Sequence, residues 1–183
     1  MSTPSNPTPP APSASGQVPM TATPLAPSQA MAVLDAALPP GHTRAGLNLV
    51  AAQSALETAW WGSKTGQGFY NYNFGNVTPS GSQPWWSTPT IAGMRYRAFS
   101  GAADGAAAMV AWLSQHNALT AASAGDLTGY MAALRAGGYL GVIGRTDATG
   151  HTVSQADYDA YQRGIASIMA SLANVNLPGG SVA

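Results

Sequence analysis

A long segment without helical periodicity interrupts a sequence whose other parts favour helices. Of all the features of the sequence, this segment constrains the fold class most strongly. Residues 63–100 are rich in Gly, Asn, Ser, Pro and aromatic side chains, and only Thr90 to Phe99 alternates well enough for a strand. On both sides of this segment, apolar residues recur at helical spacing. The pattern therefore predicts an α+β fold that is mostly α-helical, with a small irregular β-lobe inserted after one of the helices.

Capping residues and apolar spacing locate the predicted helices. One helix is expected from about Thr43 to Trp60. Further along, Asp126 is a candidate N-cap, and Ser154 with Asp157 resembles a capping box. The clearest amphipathic stripe of the chain follows that box and consists of Tyr158, Tyr161, Ile165, Ile168 and Leu172. We interpret this stripe as the core-facing side of a long helix.

The N-terminal stretch differs in composition from the rest of the chain. Residues 1–27 contain eight of the fourteen prolines, and no charged side chain occurs in residues 1–34. Such a segment favours extended, solvated backbone and has little apolar surface to bury. We therefore predict a disordered arm at 1–27, which serves as a linker or an assembly arm, an ordered domain at 28–176, and a flexible tail at 177–183.

Composition restricts the partners and cofactors. Seven basic and seven acidic side chains give no net charge and no basic stripe, so nucleic acid is not expected as a partner. Cysteine is absent and the three histidines are far apart, so neither a metal nor another cofactor is predicted. No apolar run is long enough for a membrane span, and the N-terminus lacks the features of a signal peptide.

Glu57 is the sole glutamate of the chain and lies near the end of a predicted helix, shortly before Trp60 and Trp61. In helical projection, Val50, Ser54 and Trp61 share its stripe. The negative end of the helix dipole and the adjacent indoles both disfavour another negative charge at this position. Such surroundings favour the protonated carboxyl that a general acid requires near neutral pH. The alternative interpretation is an ordinary solvated glutamate.

Aromatic and amide side chains alternate in the segment after Glu57, which is typical of sugar-binding surfaces. Aromatic rings stack on the apolar faces of sugars, and asparagine both donates to and accepts from hydroxyl and N-acetyl groups. The candidate substrate-binding residues are Trp61, Tyr70, Tyr72, Asn73, Asn76, Trp85, Trp86 and Tyr96. The alternative is that these aromatic side chains fill the core.

Several stretches of the chain resemble the glucosaminidase-type peptidoglycan hydrolases of the lysozyme superfamily. They are Ala-Gln-Ser-Ala-Leu-Glu-Thr-Ala-Trp at 52–60, Trp-Gly-Ser at 61–63, Asn-Phe-Gly-Asn at 73–76, Met-Arg-Tyr-Arg-Ala-Phe at 94–99, and Gly138-Tyr139 followed by Asp157-Tyr158. The resemblance spans about residues 30–173. It implies a lysozyme-like fold, Glu57 as general acid, and Tyr139 as a cleft residue that positions the substrate or a reacting group.

One departure from a conventional glycosidase leaves the mechanism open. No carboxylate lies between Glu57 and Asp104, whereas a two-carboxylate enzyme needs a second Asp or Glu beside the scissile bond. Asp104 and Asp126 are typical helix-start residues, and Asp147 lies in a glycine-rich loop. Three routes remain: attack by the N-acetyl oxygen of the substrate, a lytic transglycosylase reaction with Glu57 as acid and then base, or activation of water by a distant Asp.

We therefore expect an enzyme that cleaves β-1,4 bonds between N-acetylglucosamine and N-acetylmuramic acid in peptidoglycan glycan strands. It would act in the bacterial cell wall or periplasm. Because no signal peptide is evident, we expect a phage-encoded, virion-borne or secretion-machine-delivered protein, with residues 1–27 as a possible docking segment. The alternatives are a lytic transglycosylase, a chitin-active enzyme, and an inactive wall-binding or structural virion module.

Overall fold

A computed structural model describes residues 16–62, 69–87, 94–146 and 150–177. In these residues the chain forms six helices and a two-stranded antiparallel sheet. The elements are α1 (Pro27–Ala37), α2 (Arg44–Glu57), β1 (Trp85–Trp86), β2 (Tyr96–Arg97), α3 (Ala102–Gln115), α4 (Leu119–Ala124), α5 (Leu127–Ala136) and α6 (Gln155–Leu172). The predicted α+β fold, mainly helical with a small β-lobe after the Glu57 helix, is confirmed.

Helix α2 is the centre of the main core. Its residues from Gly46 to Ala55 are all buried, and α1, α4 and α6 pack against it. Small residues allow this close approach. A Cβ added at Gly46 would lie 2.0 Å from the carbonyl oxygen of Ser123 at the end of α4. Because α2 is enclosed over most of its length, packing fixes the position of its C-terminal end, where Glu57 lies.

Helix α2 ends at Glu57, three residues before its predicted end, because the chain then turns into left-handed backbone. Residues 59–61 have φ angles of 49°, 60° and 53°. Left-handed backbone costs roughly 1–2 kcal/mol for each non-glycine residue, so other contacts must hold the turn. Ser54 provides one of them, since its Oγ accepts a hydrogen bond from Trp61 Nε1 at 2.9 Å. The same hydroxyl donates to the Phe74 carbonyl at 2.7 Å and so connects α2 to the β-lobe.

The later helices begin at the predicted capping residues. Asp126 Oδ1 accepts a hydrogen bond from Gly129 N at 2.9 Å at the start of α5. Asp157 Oδ2 accepts one from Ser154 N at 2.7 Å at the start of α6. The amphipathic stripe of α6 also lies where predicted, since Tyr158, Ile165, Ile168 and Leu172 are buried. Tyr161, the remaining member of the stripe, is only partly buried.

The β-lobe, formed by the described residues between 69 and 99, has a small core of its own. In the β1–β2 pair Trp85 lies opposite Arg97, and Trp86 lies opposite Tyr96. The predicted strand over residues 90–99 is therefore observed only as Tyr96–Arg97, and residues 90–93 lie outside the described residues. The buried members of this second core are Val18, Tyr70, Trp86 and Ala98.

Residues 16–26 pack against the β-lobe, unlike the disordered arm predicted for residues 1–27. Val18 N donates to the Trp85 carbonyl at 2.8 Å, and Thr23 Oγ1 accepts from Tyr72 N at 3.0 Å. Backbone pairing orders this part of the proline-rich segment, and composition does not reveal such pairing. Residues 1–15 and 178–183 lie outside the described residues. None of the described helices is long and apolar enough to cross a membrane.

Candidate active site

Three side chains from three separate segments donate hydrogen bonds to the carboxyl group of Glu57. Oε1 accepts from the hydroxyl of Tyr139 at 2.7 Å and from the hydroxyl of Tyr161 at 2.8 Å. Oε2 accepts from Asn76 Nδ2 at 3.0 Å, and the same amide group donates to the Glu57 carbonyl at 3.1 Å. The donors come from the β-lobe, from the segment after α5, and from α6. The tertiary structure therefore orients the carboxyl.

Two asparagines of the β-lobe have different tasks. Asn76 is in left-handed backbone with φ 50°, a conformation that asparagine tolerates better than most residues, and its side chain reaches Glu57. Asn73 is buried: its Nδ2 donates to the carbonyls of Val77 and Arg97, and its Oδ1 accepts from Val77 N. Asn73 thus shapes the loop that presents Asn76.

A buried polar network lies behind the carboxyl. Gln53, one helical turn before Glu57, accepts a hydrogen bond from the hydroxyl of Tyr130 and also interacts with Tyr139. Both Gln53 and Tyr130 are buried. The ring of Trp112 packs edge-on against Tyr139, with 5.1 Å between centroids. These contacts fix Tyr139 from two sides, so its hydroxyl has a defined direction toward Glu57.

Burial keeps the tyrosine hydroxyls of this network protonated. Two causes raise the pKa of Tyr139 well above its usual value: the larger is desolvation by burial, and the second is the negative charge of Glu57. Burial is also the largest cause that raises the pKa of Tyr130 and of Tyr161. A protonated tyrosine remains a hydrogen-bond donor. Both hydroxyls at Oε1 therefore keep donating throughout the pH range in which free tyrosine begins to ionise.

The structure brings three of the predicted site residues to Glu57. Asn76 and Tyr139 bind its carboxyl directly. Tyr96 lies near enough to Glu57 for the negative charge of Glu57 to raise the pKa of Tyr96, although burial is the larger cause of the shift. Trp85 lies on the opposite face of the β1–β2 pair from Tyr96, as the register of the pair shows. It therefore belongs to a different surface of the β-lobe.

The other predicted substrate-binding residues lie in the protein interior. At most 8% of the surface of each is exposed, and they are Trp61, Tyr70, Tyr72, Asn73 and Trp86. A buried ring presents no face to a sugar, so the structure assigns these side chains to packing and loop support. The sequence does not separate the two roles, because an alternation of aromatic and amide residues is typical of sugar sites and of small cores alike.

The two indoles after α2 have different surroundings. Trp61 is fully buried and bonds to Ser54, whereas Trp60 is 41% exposed. Their rings meet edge-on at 6.4 Å between centroids. The left-handed turn separates the two side chains in this way. The hydrogen-bond donors to the carboxyl are two hydroxyl groups and one amide group.

Every other carboxylate in the described residues has a different partner. Asp35 pairs with His42, Asp104 with the hydroxyl of Ser100, and Asp159 with Gln155, while Asp126 and Asp157 cap helices. Asp147 lies outside the described residues. Across the described ranges, no group of three or more His, Asp or Glu side chains is arranged to hold a metal ion. A second carboxylate beside Glu57 is thus not found in this part of the chain.

Three members of the network, Gln53, Tyr130 and Tyr161, are not among the candidates that the sequence yields. Tyr161 belongs to the apolar stripe of α6, where spacing predicts a core residue, and its hydroxyl is the only sign of another role. Gln53 precedes Glu57 by four residues, so both lie on one face of α2. A polar pair at that spacing in a helix of small apolar residues is the signal that identifies Gln53.

A carboxyl group held by fixed donors, where a helical core meets a small β-lobe, defines a candidate acid–base site of a glycoside hydrolase. Comparison with known families agrees. The model of the glucosaminidase family, described as mannosyl-glycoprotein endo-beta-N-acetylglucosaminidase, matches residues 43–174, and the chain belongs to this family. The predicted glucosaminidase-type glycoside hydrolase is thereby confirmed.

Among solved structures, the glycoside hydrolase domain of FlgJ from Salmonella typhimurium is similar to this chain. The two are 21% identical, the alignment covers 80% of this chain and 84% of that chain, and the TM-score is 0.49. A search of curated proteins returns no significant match.

Proposed function

We propose that this glucosaminidase hydrolyses peptidoglycan and cleaves a β-1,4 bond between N-acetylglucosamine and N-acetylmuramic acid, with Glu57 as general acid. The observation that carries this proposal is the set of three donors that orients the Glu57 carboxyl. Family membership supports glycosidase chemistry, and the fixed carboxyl supports the choice of residue. An unconstrained surface glutamate would need no such donors.

The pattern of hydrogen bonds indicates which oxygen carries the proton. Two hydroxyls occupy Oε1, whereas Oε2 accepts one hydrogen bond, from Asn76, among the described residues. This pattern supports Oε2 as the oxygen that holds the proton to be transferred. In the proposed first step it passes to the glycosidic oxygen while the bond from this oxygen to the anomeric carbon breaks. The three donors then stabilise the negative charge left on Glu57.

The anomeric carbon needs an electron-rich partner as its bond breaks. Because the other described carboxylates are engaged elsewhere, we propose that the N-acetyl oxygen of the substrate supplies this partner and forms a cyclic intermediate. Water then opens the intermediate, and Glu57 takes the proton of that water and regains its acid form. In the lytic transglycosylase alternative, a hydroxyl of the sugar replaces water and leaves an anhydro end. In the third route, Asp147 activates the water.

Replacement of the proposed acid is the direct test. Glu57→Gln keeps the size of the side chain but removes the transferable proton, and general acid–base catalysis is worth about 10²–10⁴-fold. We expect a loss of that size in reducing ends released from purified sacculi. Asp104→Asn is the matched control: it removes a carboxylate at the start of α3 and should keep activity within about twofold. Equal digestion by wild type and Glu57→Gln would contradict the assignment of Glu57, whereas no digestion by either protein would favour a wall-binding module.

The released fragments identify the bond and the reaction. Mass spectrometry that finds reducing N-acetylglucosamine ends would indicate an N-acetylglucosaminidase, and reducing N-acetylmuramic acid ends would indicate a muramidase. Anhydro ends would show a lytic transglycosylase. Turnover of chitin oligomers in place of sacculi would favour a chitin-active enzyme. Loss of activity in Asp147→Asn would support the third route.

We propose the bacterial cell wall or periplasm as the place of action, because peptidoglycan is located there. Docking onto a phage particle or a secretion machine through residues 1–27 stays a prediction. Residues 16–26 of that segment pack against the β-lobe, so such docking would fall to residues 1–15.

A further inference from the structure

The β1–β2 hairpin has an outer face that does not take part in the core. Trp86 and Tyr96 pair across the strands on the inner face, with 4.9 Å between ring centroids. Because side chains alternate along a strand, Trp85 and Arg95 lie on the opposite face. They border a groove of about 460 Å³, which is within the roughly 300–1,000 Å³ typical of ligand sites. The groove is lined by Thr78, Pro79, Gly81, Trp85, Met94 and Arg95.

Arg95 is stacked on an aromatic ring in this groove. Its guanidinium carbon lies 4.3 Å from the centroid of the Trp85 ring. A guanidinium held over a ring keeps N–H groups at its edge, where a carboxylate can accept two parallel hydrogen bonds. Arg95 is exposed and forms no ion pair with any described residue. An oriented guanidinium without an acidic partner is suited to an external carboxylate.

The charge of the surrounding segment supports an anionic ligand. Residues 58–103 contain three basic side chains, Lys64, Arg95 and Arg97, and no acidic side chain. The chain as a whole has no net charge, so positive charge is concentrated in this segment. Such a local excess attracts anionic ligands and weakens binding of cationic ones.

From these observations we propose that the groove binds a carboxylate of the glycan strand through Arg95 stacked on Trp85. Peptidoglycan carries carboxylates on its peptide side arms and, where an arm has been removed, on the lactyl group of N-acetylmuramic acid. Chitin, a polymer of N-acetylglucosamine, has none. The inference rests on the proposed function and adds a means by which the enzyme separates peptidoglycan from neutral glycans.

Binding without turnover tests the site. The full chain with Glu57→Gln is titrated by calorimetry with peptide-bearing peptidoglycan fragments, with glycan strands stripped of peptides, and with chitin oligomers. The same titrations are made with three double variants, in which the Glu57→Gln chain also carries Arg95→Ala, Arg95→Lys or Arg163→Ala. Arg163 is exposed on α6, so its replacement removes the same charge outside the groove. Circular dichroism checks that each variant is folded.

We expect Arg95→Ala to weaken binding of carboxylate-bearing ligands about 10- to 100-fold, because a hydrogen-bonded charge pair is lost. Arg95→Lys should weaken it less, since the charge remains while the planar fork is lost. Chitin binding should not change, and Arg163→Ala should match the parent. If Arg95→Ala loses affinity only for peptide-bearing fragments, the bound carboxylate belongs to the peptide arms. If it loses affinity only for stripped strands, the carboxylate belongs to the lactyl group.

Several outcomes would overturn the site. They are unchanged binding of all three ligands by Arg95→Ala, an equal loss that includes chitin, or an equal loss in Arg163→Ala. The proposed general-acid role of Glu57 is tested separately in the same samples. Cleavage of the fragments by the Glu57→Gln parent would count against the general-acid assignment and not against the Arg95 site.

Discussion

Two tyrosine hydroxyls on one carboxylate oxygen distinguish Glu57 from a solvated helix glutamate. The hydroxyls are held in place by packing: Tyr139 lies against Trp112, and the rings of Tyr139 and Tyr161 are 5.7 Å apart. Buried hydroxyls need hydrogen-bond partners, and the carboxyl of Glu57 is that partner for both. At the residue scale, the candidate site is therefore an arrangement of donors around a single carboxyl group.

Tyr161→Phe tests the contribution of the donor that the sequence does not identify. Hydrogen bonds to charged groups are worth about 1.5–3 kcal/mol, so kcat should fall about 10- to 100-fold. KM should change little, because Tyr161 contacts the carboxyl of Glu57 and acts as a positioning residue. Steady-state kinetics on soluble peptidoglycan fragments provides both constants.

Tyr158→Phe is the control for that variant. Tyr158 lies on the same helix, and its hydroxyl donates to the Gly141 carbonyl at 2.9 Å instead of to Glu57. Its loss should lower stability by about 1 kcal/mol and leave kcat near wild type. Equal kcat in the two variants would contradict a positioning role for Tyr161.

At the element scale, the position of Glu57 depends on how closely helices approach α2. Gly46 allows α4 to pack directly on α2, and the left-handed turn at 59–61 directs Trp61 back into the core. The predicted caps of α5 and α6 are local interactions, which sequence spacing reveals. Helix α4 has six residues and no side-chain cap, so it lacks such a signal.

Gly46→Ala should destabilise the fold through this packing. The added methyl group would meet the Ser123 carbonyl, and overpacking of this kind costs about 1–3 kcal/mol. At Gly164, within α6, an added Cβ meets only Leu56 side-chain atoms at 3.6 and 3.8 Å. Gly164→Ala should therefore be neutral or stabilising by up to about 1 kcal/mol. Denaturant unfolding compares the two, and equal free energies of unfolding would contradict the packing argument.

At the scale of the whole molecule, two cores meet around Glu57. The helices form the larger core, and the β-lobe forms the smaller one with Val18 from the N-terminal segment. Asn76 joins the β-lobe to α2 through Glu57, while Tyr139 and Tyr161 join the C-terminal half of the chain to the same side chain. The site therefore exists only when these parts are folded together.

The free energy of unfolding should decrease in alkaline solution because tyrosine hydroxyls are buried where these parts meet. Burial raises the pKa of Tyr130, Tyr139 and Tyr161 above the value of about 10 expected in the unfolded chain. Below pH 10 neither state releases these protons, and the stabilisation is complete. As pH rises further, the unfolded state loses protons first, so the free energy of unfolding falls by at most about 1.4 kcal/mol per pH unit for each tyrosine.

Denaturant titrations between about pH 8 and pH 11.5 measure this slope. Tyr161→Phe should make the slope shallower, because one of the shifted groups is removed. A free energy of unfolding that is constant across this range would contradict the assignment of these hydroxyls to the buried network.

Sequence alone was sufficient for features that depend on local interactions. The mainly helical fold class, the caps at Asp126 and Ser154, and the stripe of α6 follow from spacing and capping chemistry. The proposal of Glu57 as general acid also comes from the sequence, because Glu57 is the only glutamate and the residues around it resemble a known family.

Tertiary structure decided which side chains reach Glu57. Tyr161 lies 104 residues and Tyr139 82 residues from it along the chain, so no local pattern shows that both donate to one oxygen. Likewise, aromatic residues that fill a core and those that line a site share one composition, and only burial separated Trp61 and Tyr72 from Trp85 and Tyr96. Local sequence encodes backbone preference, whereas burial and long-range hydrogen bonding depend on how distant segments pack together.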